Sequence, residues 1–132
     1  MISITSKSVY ALAALVELAH HEGGDPMPVS EIARRRELPP QFLEQLFGTL
    51  RRANIVASRR GVKGGYVLAR PAEEITALEV VQTLDGEISE DQLEIPPWGE
   101  IVGALRDQLQ ERNLAMLAEA ESADSGVAMY YI

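Results

Sequence analysis

The sequence predicts a mostly α-helical fold that carries one small β-hairpin and ends in a long helix. Three observations predict it. Apolar residues recur at helical spacing through most of the first 54 residues. Two four-residue β-prone runs, IVAS and YVLA, then flank the basic glycine segment RRGVKGG. Helical spacing resumes near Thr76 and again from Trp98 to the C-terminal region.

Thr5 or Ser6 can cap the first helix, SVYALAALVELAHH, which is expected to run to about Glu22 and stop at Gly23-Gly24. Val9, Leu12, Ala13, Val16 and Ala19 make one stripe, and Tyr10, Ala14, Leu15 and Leu18 widen it. A helix apolar nearly all round is expected in the core. DPMPV reads as an extended connection, after which Ser30 can cap a short helix, SEIARRREL. Pro39-Pro40 ends that helix, and Pro40 suits the first position of the next one, PQFLEQLFGTLRRAN. This third helix should bury Phe42, Leu43, Leu46, Phe47 and Leu50 and expose Gln41, Glu44, Gln45, Gly48 and Arg52. Asn54 suits a left-handed stop.

The segment from Ile55 to Ala69 reads as a β-hairpin whose tip is made by glycines 61, 64 and 65. Three helices followed by a basic hairpin form a winged helix-turn-helix. Thr76 and Glu79 make a capping box for ALEVVQTLD, which Gly86 ends. Residues 87–97, EISEDQLEIPP, read as an acidic connecting loop. From Trp98 one last helix is expected to reach about Ala120, roughly 35 Å at 1.5 Å per residue. Its apolar positions Trp98, Ile101, Val102, Leu105, Leu109, Met116 and Leu117 have little core left to cover them, so the helix is expected to pair with its copy in a homodimer. The organisation is thus residues 1–86 as a winged-helix domain, 87–97 as a loop, and 98–132 as dimerisation helix and tail.

Composition narrows the chemistry. Net charge is −8, which argues against nucleic acid until the chain is split. Residues 1–71 carry ten Lys/Arg against six Asp/Glu, a net +4, while residues 72–132 carry two against fourteen, a net −12. That asymmetry predicts a basic working surface and an acidic second part. With no cysteine, the chain can hold no disulfide, zinc knuckle or thiolate-ligated iron–sulfur cluster. His20 and His21 are adjacent, about 100° apart on a helix, and read as polar residues near a helix end rather than as metal ligands. No apolar run reaches the roughly 18 residues of a membrane span, and the N-terminus lacks a signal-peptide pattern. A cytoplasmic protein of a prokaryote is expected, with no cofactor. No nucleophile–base pairing stands out, so an enzyme is not expected.

The basic glycine loop has four readings. A nucleotide cradle needs glycines that lead into a helix, and the commonest form needs a Lys-Ser/Thr pair; here they lead into a strand pattern and no such pair occurs. GVKG matches the G-x-x-G clamp of RNA-binding KH domains, but that loop joins two helices. A solvated turn and a DNA-contacting wing remain. In the wing reading, Arg59, Arg60 and Lys63 lie near phosphates or enter a minor groove. On the third helix, Gln41 and Gln45 can pair with adenine and Glu44 can accept from cytosine; an acid near DNA favours selectivity over generic affinity.

SKSVYALAALVELA, VSEIA, LEQLFGTLRRANIV and SRRGVKGGYVLARPAEEIT together resemble the Rrf-two (Rrf2) family of bacterial winged-helix transcription regulators, over about residues 1–88. The resemblance implies a homodimer that binds a palindromic DNA operator, usually as a repressor. It places Glu44 and Gln45 as the recognition-helix pair, Ser58 and Arg60 as wing-base residues on DNA, and Tyr10 and Tyr66 at structural positions. Many members hold an iron–sulfur cluster with three cysteines before the last helix; EISEDQLEIPPWGE has none, so the chain resembles a cluster-free branch. Members of that branch respond to a partner protein or small molecule, which makes the acidic loop and Trp98 candidates for an effector contact, against a reading of Trp98 as simply packed. The competing function is a protein-interaction module on the same scaffold that binds no DNA.

Overall fold

Thr5 does begin the first helix: its hydroxyl accepts the amide of Lys7, and α1 (Ser6–His20) follows. A computed structural model describes residues 4–88 and 98–130. The expected acidic loop therefore lies outside the described residues except for Glu87 and Ile88, as does the side chain of Trp98. Then come α2 (Val29–Arg36), α3 (Pro40–Arg52), β1 (Val56–Arg59), β2 (Gly65–Leu68), a 3-10 turn (Ala72–Glu74), α4 (Ala77–Asp85), α5 (Trp98–Glu111) and α6 (Leu114–Tyr130).

The core gathers Leu15 and Leu18 of α1, Ile32 of α2, Leu43, Phe47 and Leu50 of α3, Ile75, Val80 of α4 and Leu114 of α6 into one cluster. The first helix is less buried than its composition predicts. Ala11, Ala14, Leu15, Val16 and Leu18 face the core, whereas Val9 is 57% and Tyr10 40% exposed. The reason is geometric. Helix α1 packs mainly on α6 and α4, and Tyr10 projects towards the start of α3, where its ring meets Phe42 edge-on at 6.0 Å. Ser8 is fully buried and donates to Asp85 at 2.5 Å; Asp85 also accepts the amide and hydroxyl of Thr5. Burial raises the Asp85 pKa, but these bonds outweigh it and hold the carboxyl below its usual range. The end of α4 thus clasps the start of α1.

Helix α2 starts one residue before Ser30, with Pro28 in the cap position and no side-chain cap. It ends on Glu37 in the left-handed region (φ 56°), so the turn into Pro39 is made without glycine. Pro40 opens α3 at its first turn, where a missing amide costs nothing, and Asn54 takes a positive φ of 60° after it. In the hairpin Val56 faces Leu68 and Arg59 faces Gly65. The connection through Met27 joins it as a third edge: Met27 donates to Tyr66 at 3.0 Å and Tyr66 returns the bond at 2.8 Å.

At α4 the capping box is half made. The Thr76 hydroxyl accepts the Glu79 amide at 3.1 Å, but the Glu79 carboxylate pairs with Arg70. The largest departure is the C-terminal helix, which is two helices. Arg112 and Asn113 break it: Asn113 Oδ1 caps α6 by accepting the Met116 amide at 2.9 Å. The break is pinned to the chain around the fourth helix, since Ala77 donates to the Arg112 carbonyl and Leu114 to that of Ile75.

Candidate nucleic-acid interface

Helix α3 positions its polar residues by the same periodicity that buries its apolar ones. Leu43, Leu46, Phe47 and Leu50 are buried, so Gln41, Glu44, Gln45 and Arg52 fall on the opposite side, and all four are exposed. Arg52 donates to the Thr49 hydroxyl at 3.2 Å, which steadies the last turn. Phe47 reaches through to the wing, where its ring meets that of Tyr66 edge-on at 5.0 Å. Strand β2 therefore hangs on the buried face of α3 by an aromatic pair as well as on Met27 by backbone bonds.

Every sequence-predicted wing residue is exposed: Ser58, Arg59, Arg60 and Lys63. Among the described residues Arg59 donates only to the neighbouring Ser58 carbonyl, at 3.3 Å, and Lys63 makes a loose contact with Asp25 at 3.8 Å between two well-exposed side chains. Exposed pairs of this kind contribute little and leave Lys63 able to meet another anion. The tip closes with a bond from the Gly64 amide to the Gly61 carbonyl at 2.9 Å, and Gly61 has φ +116°. No helix follows these glycines, so the loop is a hairpin apex and not a nucleotide cradle.

The arginine run of α2 behaves differently. Arg34 and Arg35 both bond Glu31, whose carboxyl the Arg34 and then the Arg35 hydrogen bonds lower to about 2. Arg36 turns inward to Glu17 and Glu121. All three arginines of α2 are thus paired with carboxylates of the protein, whereas Arg51 and Arg52 of α3 and Arg59 and Arg60 of the wing form no ion pair among the described residues. At the other end of the chain, Ile101, Leu105 and Met116 are exposed while Val102 and Leu109 are half-buried. These five lie on two helices rather than one.

The arrangement matches known proteins along nearly all of its length. The family model described as "Rrf2: Iron-dependent Transcriptional regulator" matches residues 4–123. The chain belongs to the Rrf2 family. It is 34% identical to the HTH-type transcriptional regulator CymR of Bacillus subtilis, over 98% of this chain and 99% of that protein. It is 42% identical to IscR of Sodalis glossinidius, but over 62% of this chain, which spans about half the length of that relative (50%). Among solved structures, CymR of B. subtilis, described as its global cysteine regulator, superposes with a TM-score of 0.82 at 33% identity, covering 91% of this chain and 98% of that one. The IscR of T. potens gives 0.79 at 32% identity, covering 92% and 90%. This Rrf2 chain is a helix-turn-helix transcriptional regulator and not an enzyme, as its sequence predicts.

The family description names iron, and the residues present do not fit a thiolate-held iron centre. The Rrf2 chain here has no cysteine in its sequence. Both histidines are engaged, His20 with Glu121 at 2.9 Å and His21 with the Glu17 carbonyl at 3.0 Å and Arg35 at 3.1 Å. Among the described residues no group of three or more His, Asp or Glu is placed to hold a metal. None of the described helices is long and apolar enough to cross a membrane.

Proposed function

We propose that the chain acts in the cytoplasm as a homodimeric repressor that binds a palindromic DNA operator. In each protomer α3 enters the major groove. Gln41, Glu44 and Gln45 read bases, and Arg52 holds the backbone. Ser58, Arg59, Arg60 and Lys63 of the wing meet phosphates or the adjoining minor groove. The observation that carries this reading is the exposure of Gln41, Glu44, Gln45 and Arg52 on the outer side of α3, beside a wing whose basic residues have no strong partner among the described residues. The net +4 of residues 1–71 against −12 beyond turns that basic end towards DNA and keeps the acidic part away.

The dimer forms through α5 and α6, with Trp98, Ile101, Val102, Leu105, Leu109 and Met116 as its apolar contacts. On α6, Leu114, Ala118 and Glu121 share the inward side at helical spacing, and Met116, Ala120 and Ala123 repeat that spacing about 200° round. The second side borders an open groove with Arg112 and Leu117. An effector protein or small molecule, acting near the acidic segment 87–97, sets occupancy of the operator.

Selection of bound duplexes from the parent genome tests the reading. If about six phosphates are neutralised per dimer, log affinity falls against log salt with a slope near −5. Arg60→Ala removes one phosphate contact per protomer, so it is expected to weaken binding to all sequences and flatten the slope of the dimer by about 2. Glu44→Ala should instead relax the preference at one base pair by roughly 1–3 kcal/mol. Mobility shifts in which neither substitution changes operator binding would place the DNA surface elsewhere.

A further inference from the structure

The arginine run at the end of α2 contains a contact that links distant parts of the chain. Arg36 is the last residue of the first helix of the helix-turn-helix. Its two terminal nitrogens donate to the two carboxylate oxygens of Glu121 at 2.6 and 2.8 Å, and its Nε lies 3.1 Å from Glu17 on α1. His20 of α1 meets the same Glu121 oxygen at 2.9 Å. The bonds from Arg36 first, and from His20 after, hold the Glu121 carboxyl down to about 2, so it stays ionised near neutrality. The Arg36 side chain is only 16% exposed, and a two-pronged Arg–carboxylate pair fixes direction as well as distance.

Glu121 reaches Arg36 because Leu114, Ala118 and Glu121 share the inward side of α6. The outer side of the same helix carries Met116, the surface read above as the dimer contact. Helix α6 is therefore one layer thick between the helix-turn-helix and the second protomer. We propose that Arg36 and Glu121 are positioning residues for DNA reading: their pair orients the helix-turn-helix on α6, and through α6 sets the separation of the two recognition helices in the dimer. This rests on the dimeric reading above. The bonds of the pair run to α1 and α6 and not to α3, so it acts on the spacing of two half-sites and not on contacts within one.

The absence of cysteine permits a DNA-free test. Ser30 is exposed on α2, and a spin label on Ser30→Cys reports the distance between the two helix-turn-helix units of the dimer. The expected result is one narrow distance distribution, broadened or shifted by the isosteric Glu121→Gln. The second arm compares a selected palindromic duplex with one whose second half-site is scrambled. Glu121→Gln and Arg36→Gln should each lower palindrome affinity about tenfold, keep half-site affinity within about twofold, and lose no more when combined. An unchanged distance distribution, a monomer in solution, or an equal loss on both duplexes would overturn the proposal. If the unsubstituted protein selects no duplex at all, the DNA reading fails and the distance measurement alone decides this one.

Discussion

Gly65→Ala is expected to destabilise the protein by about 3 kcal/mol or more, read as a lowered midpoint in urea or thermal unfolding. A methyl group at this position would lie 2.3 Å from the Met27 carbonyl carbon and 2.5 Å from both its oxygen and the Pro28 nitrogen. Those neighbours are backbone atoms, so no side chain can swing aside to make room. They also belong to the strand edge that bonds Tyr66 on both its amide and its carbonyl. The φ of +154° adds a conformation that other residues rarely take. Gly48→Ala provides the contrast. Its new methyl would find only the end of Arg52, at 3.8 Å, inside a helix, and a gain of about 0.5–1 kcal/mol is expected there. If both substitutions leave the midpoint unchanged, the close approach of β2 to Met27 is not how the wing is held.

Phe47→Ala should cost a similar or larger amount, about 3–5 kcal/mol. The Phe47 ring is fully buried, belongs to the central cluster and meets Tyr66 edge-on. Removing it opens a cavity between α3 and the hairpin, the two elements that carry the proposed DNA contacts. Phe47→Leu refills most of that volume without the aromatic pair, and it should lose well under half as much. In operator binding the leucine variant is expected to lose wing-dependent affinity, the part that Arg60→Ala also removes, so the two effects should not add. Full additivity of the two would mean that the ring pair has no part in placing the wing.

Much of this architecture was legible because it is written in local signals. Thr5, Pro40, Asn54, Thr76 and Gly86 mark helix ends by chemistry that acts within a few residues, and the structure uses each of them. The exposed side of α3 followed from the periodicity of its buried one. The failures are contacts between residues far apart in sequence. Nothing near Met27 announces that it bonds Tyr66, and nothing near Arg36 announces Glu121, 85 positions on. Arg34 and Arg35 bond Glu31 within their own helix, but Arg36 finds its carboxylates on other helices, Glu17 of α1 and Glu121 of α6. Ser30 suits a cap, but Pro28, two residues earlier, takes the cap position in an extended backbone and the helix begins at Val29. The break in the C-terminal helix did leave a trace: apolar spacing lapses after Leu109, and Asn113 precedes Met116 by the three residues of a cap.

The strand-like tie at that break has a thermodynamic consequence. Leu114 is fully buried in the same cluster as Leu15 and Phe47, and its amide satisfies the Ile75 carbonyl just before α4 begins. The Arg112 carbonyl in turn receives the first amide of that helix. Neither the N-terminal helices nor α6 can melt without opening the core of the other. Heating should therefore give a single cooperative transition, with calorimetric and van't Hoff enthalpies in agreement, rather than an early loss of the C-terminal helix. Amide protons of Leu114 and Ala77 should exchange as slowly as those at the centre of α3, making the acidic end of the chain a fastener of the basic one.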